Sequence, residues 1–238
     1  MSNQIALVTG GTRGIGRAIA ATLAQAGYTV LACGRSAPQG PLPEGVDFLP
    51  CDVADAVSVL ATFEAVRAKH GRLDVLVNNA GVAGADRLGD PLDPAWDRIV
   101  ATNLSGAYRC TQAALALFPR EGGRIVFMAS VLGLRAVPDQ VAYVAAKHGV
   151  VGLAKAFALA LAPRGITSNA VCPGWVDTAM ARSRFEELGI DEAQARAGVP
   201  TGRIVTPEEV AAAVLYLCGE GARNVTGQSL VIDGGALA

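Results

Sequence analysis

Ile5-Ala6-Leu7-Val8-Thr9-Gly10-Gly11-Thr12-Arg13-Gly14-Ile15-Gly16-Arg17-Ala18-Ile19 decides the fold. Four consecutive apolar residues followed by a glycine-rich turn and a helical pattern read as a strand covered on both faces, feeding a helix. Gly10 lets the chain turn tightly off the strand. Gly14 lets the backbone approach a pyrophosphate with no Cβ in the way, and Gly16 lets the helix pack closely on the sheet. The helix then presents free N–H groups and the positive end of its dipole to an anion. The spacing is Gly-x3-Gly-x-Gly rather than Gly-x-Gly-x-x-Gly, and no Lys-Ser/Thr pair follows, so an ATP-type phosphate loop is excluded.

Outward from this stretch, short β-branched runs alternate with longer helical patterns, the mark of a parallel sheet with crossover helices. The predicted strands are 5–9, 28–33, 46–50, 73–78, 124–130, 166–172 and 229–233; the predicted helices lie near 14–26, 55–69, 94–118, 140–162 and 207–217. Asp93-Pro94 places an N-cap before a proline at N1, and Thr206-Pro207-Glu208-Glu209 forms a capping box. The expectation is a doubly wound α/β domain with a seven-stranded sheet, one domain over 1–238. The Pro- and Gly-rich segment 36–45 is a loop within it. Charge gathers in 178–203, where an insertion at the carboxyl edge of the sheet suits a lid over a ligand crevice.

Composition sets the outer limits. The 238 residues are 51% hydrophobic and 17% charged, with a net charge of −1, which argues against disorder and against a nucleic-acid or anionic-membrane partner. No stretch reads as a membrane span. Five scattered cysteines without a CxxC pair give neither a metal site nor a disulfide framework, and a cytoplasmic setting is expected. No basic and apolar leader precedes the first strand. The 140–162 pattern is apolar nearly all round, so one face covers the sheet and a second is expected to meet a partner subunit, with the 94–118 helix beside it.

The second strand ends Ala32-Cys33-Gly34-Arg35. A carboxylate here would hold the ribose diol of NAD; Gly34 stands there instead. Arg35 and Arg13 offer two guanidinium groups for a 2′-phosphate, which favours NADP(H) over NAD(H). Asp52 lies where it accepts from an adenine amino group, and Asn79-Ala80-Gly81 closes the fourth strand beside the same pocket. Tyr143 and Lys147, at i and i+4, share a helix face. A phenol with a pKa of about 10 is a poor base at neutral pH, and the neighbouring ammonium is expected to lower it. Ser130, at the end of the fifth strand, offers a hydroxyl to a carbonyl or carbinol oxygen. Asn103 reads as an amide that kinks its helix. His70 and His148 lack metal-ligand spacing, and His148 is read as structural or as part of the pocket rim.

Together, Thr9-Gly10-x3-Gly14-x-Gly16, Asn78-Asn79-Ala80-Gly81, Asn103, Ser130, Tyr143-x-x-x-Lys147 and Pro173-Gly174-x-Val176-x-Thr178 resemble the short-chain dehydrogenase/reductase superfamily over essentially the whole chain. The strings around Tyr143 and Asn169 look most like 3-oxoacyl reductases and polyketide ketoreductases, and similar strings occur in 3-hydroxybutyrate dehydrogenases. The resemblance implies strand order 3-2-1-4-5-6-7. It implies Tyr143 as acid/base, Lys147 as its modulator and a ribose ligand, Ser130 as substrate anchor, and Asn103 as holder of a water in a proton relay. It implies a cofactor site made of Gly10, Thr12, Arg13, Gly14, Ile15, Gly16, Arg35, Asp52, Val53, Asn79, Ala80, Gly81, Tyr143, Lys147, Pro173, Gly174, Val176 and Thr178. The C-terminal tail suggests a homotetramer or dimer. The lid is shorter than in the polyketide enzymes, which argues against a carrier-protein-bound substrate.

The expected activity is NADPH-dependent reduction of a ketone to a secondary alcohol, or its reverse, on a small molecule. Leu132, Val137, Gln140, Trp175, Met180 and Phe185 would line a mostly apolar pocket suited to an acyl or aryl ketone. The alternatives are an NAD-dependent 3-hydroxyacyl or 3-hydroxybutyrate dehydrogenase and a non-catalytic dinucleotide sensor.

Overall fold

The computed structural model describes residues 4–238; the first three positions of the expected 1–238 domain lie outside them. The opening apolar run forms β1 (Ile5–Thr9), buried throughout, and the glycine turn leads into α1 (Gly14–Gln25). There follow β2 (Thr29–Gly34), β3 (Val46–Pro50), α2 (Ala56–His70), β4 (Val75–Asn78), α3 (Ala95–Val100), α4 (Gly106–Ala114), β5 (Gly123–Met128), α5 (Val141–Leu161) and β6 (Ile166–Pro173). The chain ends with α6 (Ala179–Leu188), α7 (Glu192–Ala197), α8 (Pro207–Cys218) and β7 (Ser229–Ile232). All strand pairings are parallel, in the order β3-β2-β1-β4-β5-β6-β7.

Two apolar layers sandwich the sheet. Leu7, Leu31, Leu76, Ile125 and Phe127 face α2, α4 and α5 through Phe63, Cys110 and Val150. Ala6, Val8, Val30, Val77 and Val126 face α1 and α8 through Ile19, Leu23, Val210 and Val214. Burial on both sides explains why these strands read as unbroken apolar runs instead of alternating ones. The order reverses between β1 and β4, and the crevice at such a switch point is where α/β sheets bind ligands.

Several boundaries depart from the sequence reading. The strand expected to end at Ser130 stops at Met128, because Ser130 caps a 3₁₀ turn (Val131–Gly133), its Oγ accepting from Leu132 N–H at 3.1 Å. The helix expected over 94–118 is divided: α3 and α4 are joined by a π-helical segment, Ala101–Ser105, in which Gly106 N–H reaches Ala101 O. Asp93 does cap this helix, accepting from Ala95 N–H at 2.9 Å, although the assigned start lies one residue later than expected. The Thr206 capping box forms as read. The 178–203 insertion contains α6 and α7, and a second capping box at Asp191 and Gln194 starts α7.

The expectation that no stretch could span a membrane needs correction. Val141–Arg164 is long and apolar enough by length and composition. Ala146, Lys147, Val150, Ala154 and Phe157 of this stretch are packed inside the fold, as in the core helix of a globular protein. Its outer face is bare within this chain: Leu159 is 83% exposed.

Candidate active site

The switch point is built first from Thr9, which the sequence reading used only as the start of a motif. Its Oγ1 accepts from the N–H groups of Asn79 and Ala80 at 2.9 and 3.0 Å, pinning the end of β4 to the end of β1. Asn79 Nδ2 returns the contact, donating to Thr9 O at 2.9 Å and to Gly10 O at 3.2 Å. Gly10 has φ +63°, a conformation that glycine adopts without strain. A Cβ at Gly16 would lie 2.2 Å from Gly10 O, so only glycine lets α1 approach the turn this closely. The first turn of α1 has no side-chain cap, which leaves its leading N–H groups open to an anion.

The other cofactor candidates surround this cradle. A Cβ at Gly14 would meet only Thr178 Cγ2, at 3.7 Å, so the start of the lid faces the glycine loop. Thr178 is the N-cap of α6, and Val176 is buried and bridged to Val205. Gly174 packs against Asp233, where a Cβ would come within 2.9 Å, and Pro173 ends β6. Thr12 lies against Gly34, and Ile15 is partly buried in the α1–α8 layer. Arg13 and Arg35 are exposed, and neither guanidinium has an ion-pair partner among the described residues. Asp52 Oδ1 accepts from Ala54 N–H at 3.0 Å, while Val53 packs on Gly106. An open helix start, a glycine-walled turn and two unpaired cations beside β2 fit a phosphorylated dinucleotide.

At the same edge, Lys147 is 5% exposed and its Nζ donates to Met128 O at 2.6 Å. Burial lowers its pKa to about 8. Nζ lies 5.5 Å from the centre of the Tyr143 ring. Burial raises the pKa of Tyr143 to about 12, while the nearby Ser130 hydroxyl pulls in the opposite direction. This corrects the expected effect of the lysine: the ammonium lies over the ring face and is engaged by a carbonyl, so burial governs the phenol. Gly81 separates the two functional groups behind the tyrosine, a Cβ there lying 3.5 Å from Asn103 Oδ1 and 3.8 Å from Lys147 Nζ.

Asn103 is buried in the π segment. Its Oδ1 accepts from Val82 N–H and its Nδ2 donates to Val82 O, both at 2.8 Å. The side-chain amide therefore clamps the strand-end loop with one donor and one acceptor site, leaving a second N–H and a second lone pair. His148 Nδ1 contacts Val144 O at 2.9 Å on an exposed helix face.

Of the pocket candidates, Leu132 and Val137 are half-buried on the segment after β5, and Gln140 directly precedes α5, 4% exposed. Met180 is 45% exposed on α6. Phe185 does not line the crevice as expected. It is buried in the lid's own small core with Ala181, Ala195 and Ile204, its ring edge-on to Trp175 at 4.9 Å.

Known proteins resemble this chain along nearly their whole length. The family model described as enoyl-(acyl carrier protein) reductase matches residues 10–236. A 3-oxoacyl-[acyl-carrier-protein] reductase of Escherichia coli (strain K12) is 39% identical over 238 residues, covering 98% of this chain and 96% of the relative. A D-beta-hydroxybutyrate dehydrogenase of Rhizobium meliloti (strain 1021) is 39% identical over 253 residues, covering 98% of each chain. The crystal structure of a point variant of actinorhodin polyketide ketoreductase with NADPH superimposes with a TM-score of 0.91 at 40% identity, covering 98% of this chain and 97% of that one. The protein is thus an oxidoreductase of the CH–OH/C=O couple that works with a nicotinamide dinucleotide. It belongs to the short-chain dehydrogenase/reductase family.

Proposed function

We propose that the protein reduces a ketone, of the 3-oxoacyl or aryl/alkyl type, to a secondary alcohol with NADPH, or runs the reverse. The observation that carries this reading is the grouping of Tyr143 with the Ser130 hydroxyl and the buried Lys147, whose Nζ lies 5.5 Å from the tyrosine ring. When bound, the nicotinamide supplies the hydride. Tyr143, kept protonated by burial, holds the proton that passes to the substrate oxygen. Ser130, whose Oγ accepts from Leu132 N–H, has a single proton to donate, and with substrate bound it would go to that oxygen. Lys147 fixes one of its three donors on Met128 O and keeps two for a ribose hydroxyl and for the charge balance of the tyrosine.

Arg13 and Arg35 would hold a 2′-phosphate, and Asp52 the adenine end. An enoyl substrate, the kind named in the matching family description, ends with its proton on carbon, whereas Tyr143 and Ser130 offer hydroxyl donors suited to a carbonyl oxygen. The rival reading is an NAD-dependent 3-hydroxybutyrate or 3-hydroxyacyl dehydrogenase. The Rhizobium relative supports it, while Gly34, in place of a carboxylate, opposes it. A dinucleotide sensor without catalysis is opposed by the intact Ser130, Tyr143 and Lys147. We place the enzyme in the cytoplasm as a homotetramer or dimer, with the outer faces of α4 and α5 buried between copies.

A ketone panel with NADPH oxidation as readout tests the activity, and two substitutions test its parts. Tyr143→Phe is expected to abolish turnover and leave NADPH binding intact; retained turnover defeats the mechanism. Arg35→Ala should lower kcat/KM for NADPH by about 10- to 100-fold, the worth of one charge-assisted phosphate contact, and leave NADH almost unaffected. A wild-type preference for NADH would overturn the cofactor assignment.

A further inference from the structure

The loop after β4 reaches across to the start of α5. Asp86 stands in that loop, and its carboxylate accepts from the N–H groups of Val141 and Ala142, the latter at 3.3 Å. The helix's own N-cap, Gln140, supplies no side-chain cap. The leading N–H groups of a helix need an acceptor, and a carboxylate there also suits the dipole. Asp86 provides both from 55 positions upstream of Val141. Tyr143 is the next residue along the helix.

Asp86 is itself tied to the lid. Its N–H donates to Asp139 O at 3.1 Å. The Asp139 carboxylate pairs with Arg184 on α6, whose side chain is only 12% exposed and also meets Glu187 at 2.8 Å. A continuous path of polar contacts thus runs from the lid helix, through the residue before Gln140, to the first turn of the helix that carries the tyrosine.

We infer that Asp86 is a positioning residue for Tyr143, and that the Arg184–Asp139–Asp86 chain makes docking of the lid and placement of the phenol one structural event. The inference rests on the reading of Tyr143 as proton donor. Asp86 touches no reacting group; it acts by closing the helix start. Without it, two N–H groups lose their acceptor and the first turn of α5 loosens, carrying the phenol away from Ser130. Proton transfer needs heavy atoms within about 2.6–3.2 Å, and a misplacement of about 1 Å costs about 100-fold. The glycine cradle that takes the phosphates lies on β1, α1 and β4, and Lys147 is anchored on Met128 O deeper in α5, so cofactor affinity changes little.

The test uses the full chain with NADPH and ethyl 3-oxobutanoate, or another ketone the wild type reduces. Asp86→Ala should lower kcat by about 10- to 100-fold with the Kd for NADPH, read by its fluorescence, changed less than about twofold. Asp86→Asn keeps an oxygen that caps a helix as well as Asp does and should recover most of the lost kcat. Arg184→Met should lower kcat/KM in the wild type and cause little further loss in the Asp86→Ala background, because residues on one path are not additive. A kcat within about twofold of wild type for Asp86→Ala, equal losses for Ala and Asn, or additive effects with Arg184→Met would each overturn the inference. If Asp86→Ala fails to fold, Asp86→Ser, whose hydroxyl is too short to reach both N–H groups, replaces it in the cycle with Arg184→Met under the same criterion of additivity. Tyr143→Phe run alongside separates the two readings: its full activity removes the proton-donor assignment and this inference with it, whereas its inactivity with an unaffected Asp86→Ala removes this inference alone.

Discussion

Lys147 reaches a backbone carbonyl through a buried stem, and that burial sets its acid–base behaviour. Its pKa is lowered to about 8 in the folded chain, against the ordinary lysine value near 10.5. Between those two values the unfolded chain keeps a proton that the folded chain has lost, so this residue makes stability rise with pH across that window. Tyr143 acts in the opposite sense and later. Its pKa of about 12 exceeds the ordinary phenol value, so the folded chain holds the extra proton and stability falls as pH climbs from 10 toward 12. The difference in unfolding free energy between wild type and Lys147→Met cancels the titrating groups that do not interact with the lysine, leaving it with its neighbour Cys172. We expect that difference to move in favour of the wild type by up to about 3 kcal/mol between pH 8 and 10.5. Urea unfolding at a series of pH values without cofactor checks it, and a pH-independent difference would mean the lysine is not held as described. At this scale the sequence was informative where spacing along one helix carried the message, as with Tyr143 and Lys147. It was silent where a side chain acts on a distant backbone. Thr9 pinning β4, Asn103 clamping Val82 and Asp86 capping α5 each join positions brought together only by folding.

At the scale of elements, the pattern of apolar residues located β1, β2, β4 and β5 most directly, because burial on both faces leaves a short run with no polar interruption. Helix starts were legible where the capping residue is local, as at Asp93 and Thr206. The start of α5 was placed within one residue, but its cap was not legible, because it comes from another loop. The π segment between α3 and α4 shows how one residue changes a helix without stopping it. Asn103 turns its amide toward Val82, and the widened i→i+5 turn accommodates that displacement while the helix continues on both sides. Such widened turns recur at functional sites, and this one borders Gly81 and Lys147. In the lid, charge density suggested an exposed insertion with an aromatic residue turned toward the crevice. The lid instead folds on itself: Phe185 anchors α6 against Trp175 and Ile204, and the charges pair along its surface, Arg182 with Asp177 and Arg196 with Glu192. Composition separated lid from core but did not say which apolar residue the lid keeps for itself.

At the scale of the whole molecule, the outer side of α4 and α5 holds a groove of about 580 Å³ lined by Leu104, Tyr108, Gly149, Gly152, Leu153 and Ala156, with Ser105 and Arg109 at its edge. Gly149 and Gly152 flatten it, and Leu159 lies further along the same side of α5. Exposed apolar surface of this kind is costly in a monomer and marks an association site. A twofold axis through it would make the same patch meet itself, the usual arrangement in homo-oligomers. The apolar pattern of α5, read from sequence as needing two covers, then has both: the sheet on one side and a second copy on the other. Ala156→Glu tests this because it places a charge in the middle of the groove, where association would strip its water at a cost of several kcal/mol. Sedimentation velocity at micromolar concentration is expected to show a dimer or tetramer for the wild type and a smaller species for the variant. The variant's far-UV dichroism should be unchanged, since position 156 lies on the exposed face. A wild type that sediments as a monomer would leave this face without its second cover and would refute the proposed assembly.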